Sequence, residues 1–161
     1  RVDRRQRQMC IRDSYTANAM AMEPKSPQGS KLPIWIGGTS KAALRRVAEL
    51  GDGWLATAIE DVDVAKSFIQ RIHEHAESIG RDPKEIGMQM MLDVPPRDEA
   101  GKQFYKHADN VLARADAVKS AGFEWGALNA TAMFQAGYKS VDALIDQLAV
   151  LHDALRAHLG K

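Results

Sequence analysis

At 161 residues, with 45% apolar and 27% charged side chains, the chain has the size and composition of one soluble globular domain with a sizeable core. No run of about 18 apolar residues occurs, so no membrane span is expected, and the basic N-terminus lacks the apolar segment of a secretory signal. One cysteine cannot form an internal disulfide, which accords with a cytoplasmic protein.

Residues 4–14 read Arg4-Arg-Gln-Arg-Gln-Met-Cys-Ile-Arg-Asp-Ser14. They match, codon for codon, the translation of a transposon adapter used in sequencing libraries. Residues 1–14 are therefore expected to be a non-native, adapter-derived tail, with the natural protein extending upstream of Tyr15. The tail carries five Arg and two Asp, and the rest of the chain has 17 basic and 19 acidic residues, so +1 becomes −2. The basic balance thus gives no reason to expect nucleic acid as a partner. Cys10 lies in the tail, and no thiol chemistry is built on it.

Residues 15–32 are small and polar, punctuated by Pro24, Pro27 and Gly29, and read as a loop or linker. Residues 34–36 form a short apolar run between Pro33 and Gly37, as in a strand buried on both faces. Thr39 or Ser40 caps a helix whose stripe is Ala43, Leu44, Val47, Ala48 and Leu50, with Gly51 as its stop. Residues 53–57 are the second strand. A helix starting at Asp61 or Asp63 follows, with Phe68, Ile69, Ile72, Ala76 and Ile79 on one side and Gly80 at its end. Asp82-Pro83 makes a turn.

Residues 86–94 form a methionine-rich third strand that Pro95-Pro96 stops. Asp98 is expected to cap a third helix, with Phe104, Ala108, Val111, Leu112, Ala115 and Val118 on its stripe and Gly122 as its end. Residues 123–130 are the fourth strand. Ser140 caps the last helix, with Val141, Leu144, Ile145, Leu148, Leu151, Leu155 and Leu159 facing inward and Gly160 closing it. Four strand–helix units imply right-handed crossovers and a parallel sheet. Such a sheet is either half of an eightfold barrel or a small open α/β fold.

The first strand runs into Gly37, Gly38, Thr39 and Ser40, which open a helix. Close-approaching backbone, exposed N–H groups and a helix N-terminus suit a phosphate. A tight turn without a ligand is the equal alternative from these residues alone. In a barrel, chemistry comes from the C-terminal ends of strands. His73, His75, His107, His152 and His158 fall in expected helices away from those ends and read as solvated surface residues. His73 and His75 do not share a helical face, and no metal site is expected. At the strand ends stand Ala56, Thr57, Asp93, Arg97, Asn129 and Thr131. Of these, Asn129 is a candidate contact for a ring and Arg97 for an anionic tail, each with a plain role as cap or loop residue. Met88, Met90, Met91 and Met133 read as packing, and Trp35 and Trp54 as core.

Pro33-Ile34-Trp35-Ile36-Gly37-Gly38, Ala42-Ala43-Leu44-Arg45-Arg46, Gly51-Asp52-Gly53-Trp54-Leu55 and Gly80-Arg81-Asp82-Pro83 occur in this order. Together they resemble the luciferase-like family of monooxygenases and F420-dependent oxidoreductases. The motifs cover 33–86 well, and the remainder to 161 agrees mainly in order of elements. The resemblance implies that residues 33–161 are the C-terminal half of a (β/α)8 TIM barrel, with strands five to eight. It implies that Gly37, Gly38, Thr39 and Ser40 bind the phosphate of F420 or FMN, the glycine pair leaning the choice towards F420. The family's catalytic residues are implied to lie in the upstream half and map onto nothing here.

The activity so implied is hydride transfer through F420, or oxygenation through reduced FMN, on a small organic substrate. A flavin reductase would be a partner in the FMN case, and a homo-oligomer is compatible with the family. The alternatives are a phosphate-binding TIM-barrel enzyme without flavin, or an inactive half-barrel whose open edges lead it to pair with itself.

Overall fold

A computed structural model describes residues 26–160. The expected adapter tail, Cys10 and most of the expected linker lie outside the described residues. The chain divides into two compact units, Arg1–Pro33 and Ile34–Lys161. Within the first, the described part contains one 3-10 turn, Gly29–Lys31.

In the second unit, short strands alternate with helices in the order β1 (Trp35–Gly37), α1 (Lys41–Leu50), β2 (Gly53–Leu55), α2 (Val62–Ser78), β3 (Gly87–Met91), α3 (Ala108–Ser120), β4 (Trp125–Ala127), α4 (Ala130–Gln135) and α5 (Val141–Leu159). The sheet order is β1-β2-β3-β4 and every pair is parallel. Trp35, Gly53 and Gly87 stand in one row of the register, and Gly37, Leu55, Gln89 and Trp125 in another. Parallel neighbours in chain order require a crossover after each strand, and the helices supply it. Among the described residues, β1 and β4 each leave one edge unpaired. The result is an arc of a (β/α)8 barrel, one of the two folds that the alternation of apolar runs and amphipathic stripes allowed and the one that the resemblance implied.

The two faces of the sheet differ. The helix-covered face holds Trp54, Met88 and Met90, all buried with Val47 and Ala48 of α1, Ile69 and Ile72 of α2, and Val111 and Val118 of α3. Trp54 packs edge-on to Phe68 at 6.2 Å and tilted against Phe123 at 5.8 Å. The opposite, concave face is that of Gly53, Leu55, Gly87 and Gln89 by strand alternation. Trp35 lies across Gly53 and Gly87 there, and meets Trp125 edge-on at 6.5 Å. Trp125 is 59% exposed and Leu55 37%, so this face is open.

Capping residues act where the sequence placed them. The side chains of Ser40, Asp61 and Ser140 accept N–H groups from the first turns of α1, α2 and α5. Gly80, at φ 74°, ends α2 in a Schellman turn: the Arg81 N–H bonds the Ala76 carbonyl and the Gly80 N–H that of Glu77.

Several expectations are corrected. Gly51 stops α1 without a left-handed turn, at φ −83°; a Cβ there would make a tight 3.0 Å contact with the Val47 carbonyl oxygen. The helix expected from Asp98 is two 3-10 turns, Glu99–Lys102 and Phe104–Lys106, and α3 begins only at Ala108. Asp98 caps the first of these turns, and Gly101 lies directly against the Pro96 backbone, where a side chain would not fit. The fourth strand is shorter than expected, and α4, capped by Asn129, follows it. Val141 and Ile145 face outward, 70% and 58% exposed, because α5 packs through Leu144, Leu148, Leu151 and Leu155. Leu50 and Ile79 are also exposed.

Candidate functional site

β1 delivers its backbone into the Gly37–Ser40 loop at the C-terminal edge of the sheet, and α1 starts immediately after it. The Ser40 hydroxyl oxygen accepts the Ala43 N–H at 3.2 Å, which caps α1 and leaves the hydroxyl proton available to a ligand. The N–H groups of Gly38, Thr39 and Ser40 meet no acceptor among the described residues. They stand where the helix dipole is positive. Gly38 has φ 105°, and a Cβ there would lie 3.1 Å from that of Ala43. Gly37 is different: it needs no left-handed backbone, and a Cβ would make an ordinary 3.7 Å contact with the Leu55 carbonyl oxygen. One glycine of the pair is therefore demanded by the chain's own geometry and the other is not.

Residues of the neighbouring strand hold this loop from below. The Trp54 indole Nε1–H donates to the Gly38 carbonyl at 2.9 Å. Asp52 accepts the Ile34 N–H on Oδ2 at 2.6 Å and returns its own N–H to the Ile34 carbonyl at 2.7 Å, fixing where β1 begins. The Arg81 guanidinium donates to the carbonyls of Ala48 at 2.9 Å, Gly51 at 2.6 Å and Val47 at 3.4 Å. A cation there satisfies the end carbonyls of α1 and complements its dipole. The motifs that carried the family resemblance thus form one scaffold around β1 and α1.

A second polar group sits at the ends of β3 and β4. Asp93 is 3% exposed and its Oδ2 accepts the Tyr105 hydroxyl at 2.7 Å and the Asn129 N–H at 2.8 Å. Asp93 Oδ1 is buried with no partner among the described residues. Burial first, and the hydrogen bond to Asp93 second, hold the Tyr105 phenol well above its usual range, so it remains a donor. The Asn129 side-chain oxygen accepts the Thr131 N–H at 2.9 Å, so Asn129 serves as the cap of α4. Arg97 is exposed and makes no hydrogen bond or ion pair among the described residues. Arg97 and Asn129 follow β3 and β4, whereas the Gly37–Ser40 loop follows β1 at the other edge of the sheet.

The histidines divide. His75 meets Glu49 at 3.1 Å and His158 meets Asp116 at 2.8 Å, both on helix surfaces, and His152 lies beside Asp153. His107 was expected within a helix but occupies the N-cap position of α3, in the connection after β3. There it lines a groove of about 510 Å³ with Val94, Pro96 and Phe104. Among the described residues no cluster of His, Cys, Asp or Glu is placed to hold a metal ion, and no helix is long and apolar enough to cross a membrane.

The luciferase-like monooxygenase family profile matches residues 12–143. The chain belongs to the luciferase-like monooxygenase family. Among solved structures it is similar to the coenzyme F420-dependent tetrahydromethanopterin reductase from Methanopyrus kandleri. The TM-score is 0.50 at 15% identity, over 70% of this chain and 48% of that one. At this identity the likeness concerns the fold, a partial TIM barrel, and the chain spans about half the length of that structure. No curated protein matches the chain.

Two features of this luciferase-like chain were not legible as site residues in the sequence. Trp54 reads as core and is core, but its indole N–H reaches the loop; nothing in a one-dimensional pattern separates those roles. The Asp93–Tyr105 pair spans twelve positions across turns that the sequence disguises as helix. An acid inside an apolar strand just before Pro95-Pro96 is the signal that points to it.

Proposed function

We propose that this chain is the cofactor-phosphate-binding half of a flavin- or deazaflavin-dependent oxidoreductase. The observation that supports this most is the Gly38–Ser40 loop, whose three N–H groups meet no acceptor within the described residues. An anion with several acceptor oxygens fits such a set, and a helix N-terminus attracts it further. Gly37 and Gly38 place no side chain between the loop and a ligand.

When bound, F420 supplies hydride transfer and reduced FMN supplies oxygenation. The residues of this chain bind and orient. The N–H groups of Gly38, Thr39 and Ser40 would hold phosphate oxygens, the hydroxyls of Thr39 and Ser40 would add donors, and the β1–α1 scaffold would keep that loop in place. Arg97 is free to meet an anionic tail or substrate. The Asp93–Tyr105–Asn129 group ties the ends of β3 and β4 together and keeps that side of the mouth in shape. The substrate is a small organic molecule, and an FMN-dependent enzyme would draw on a flavin reductase. The catalytic residues belong to an upstream half. With Trp125 and Leu55 exposed on the concave face, the 161-residue chain alone is a half-barrel without turnover that associates with itself.

Fluorescence titration of the full-length protein with F420 and with FMN tests the reading, beside a Thr39→Glu variant. One cofactor binds, and the added carboxylate weakens it by tenfold or more, about 1.4 kcal/mol. Binding of neither cofactor would sink the proposal.

A further inference from the structure

We infer that Trp54 is a positioning residue for the anion grip: its indole N–H fixes the Gly38 peptide so that the following N–H groups face the ligand. The inference rests on the phosphate-loop reading above. Its basis is a connection between two layers of the molecule.

Trp54 is fully buried, held between Phe68 of α2 and Phe123 before β4. A ring clamped in this way cannot follow a moving loop. Its Nε1–H nevertheless reaches the Gly38 carbonyl at 2.9 Å, sixteen residues away in sequence and across the β1–β2 boundary. The Gly38 carbonyl and the Thr39 N–H belong to one planar peptide unit and point in opposite directions. Tying the carbonyl inward to Trp54 therefore turns the Thr39 N–H outward. The loop is set at its other end by the Ser40 cap on Ala43.

Without the indole bond, the Gly38 peptide has no partner among the described residues to fix its plane, and a flip of that peptide would present a carbonyl oxygen to an anion. Donors preorganised for a ligand lose less on binding than donors that must first be ordered. A tryptophan is suited to this task because its polar atom lies at the edge of a large apolar ring. Phenylalanine would retain the ring and lose only the donor.

The test compares phosphorylated with unphosphorylated ligand on the full-length protein: FMN against riboflavin, or F420 against its deazaflavin core lacking the phosphate tail, whichever pair the protein binds. Trp54→Phe should lower affinity for the phosphorylated member about three- to tenfold and leave the unphosphorylated member unchanged. A merely structural role would weaken both together. Phe68→Leu disturbs the same aromatic cluster without touching the hydrogen bond, and should leave the ratio of the two affinities as in the wild type. If Trp54→Phe keeps the wild-type ratio, the inference is overturned while the phosphate loop stands. If the wild-type protein itself binds both members equally, the phosphate-loop reading fails and the inference falls with it.

Discussion

Replacing Gly53 by alanine tests whether Trp35 is wedged over the concave face as described. A Cβ at Gly53 would lie 2.5 Å from Cδ2 and 2.6 Å from Cζ3 of Trp35. Ordinary contact needs about 1 Å more, and these atoms belong to a rigid ring that cannot yield at its tip alone. Trp125 stands edge-on to the ring at 6.5 Å and limits where it can shift. Overpacking of this kind costs about 1–3 kcal/mol. Alanine returns about 0.5–1 kcal/mol by restricting the unfolded chain, so a net loss of about 1–2 kcal/mol is expected. The decisive comparison is a double-mutant cycle on the full-length protein, read by urea unfolding with circular dichroism. In a Trp35→Val background the clash is gone, and Gly53→Ala should become neutral or slightly stabilising. Equal cost in both backgrounds, or no cost in the first, would refute the wedge.

Arg81→Met should destabilise by about 2 kcal/mol, since the carbonyls of Val47, Ala48 and Gly51 lose a charged donor; an unchanged urea midpoint would contradict this. Ser40→Ala removes the cap of α1 and should cost about 1 kcal/mol of stability, measured in the same way. The raised phenol of Tyr105 makes the native state hold its proton more tightly than the unfolded chain does. Its contribution is therefore complete below the unfolded value of about 10 and falls as pH rises above it, by up to about 1.4 kcal/mol per pH unit. Tyr138, raised by burial, acts in the same direction. Tyr105→Phe should flatten this alkaline loss, and a profile as steep as wild type would assign it elsewhere. Sedimentation of the isolated 161-residue chain should show association, and a clean monomer would show that the open face tolerates water.

The alternation of strand and helix was legible because the first and third apolar runs end at Gly37 and Pro95, the helices carry apolar stripes, and Ser40, Asp61 and Ser140 cap three of them. Residues 98–107 misled for a reason within that logic. Asp98 is a true cap and Phe104 a true apolar residue, but Gly101 lies against the Pro96 backbone, a local close approach that no periodicity encodes. Val141 and Ile145 misled because α5 carries more apolar residues than one face requires. The candidate loop was readable from its glycines and hydroxyls. What makes those glycines differ, Gly38 at φ 105°, where a side chain would be strained, and Gly37 in ordinary backbone, is visible only once the backbone is in place. The family motifs were recognised as a pattern, and the structure supplies their physics. Asp52 sets the start of β1, Trp54 holds the loop, Arg81 closes α1, and Gly53 makes room for Trp35.

A crystal structure of the full-length protein with F420 or FMN bound tests the central claim most directly. The phosphate is expected within hydrogen-bonding distance of the N–H groups of Gly38, Thr39 and Ser40, with the Trp54 indole still on the Gly38 carbonyl. A phosphate held at the end of another strand, with this loop unliganded, would contradict it.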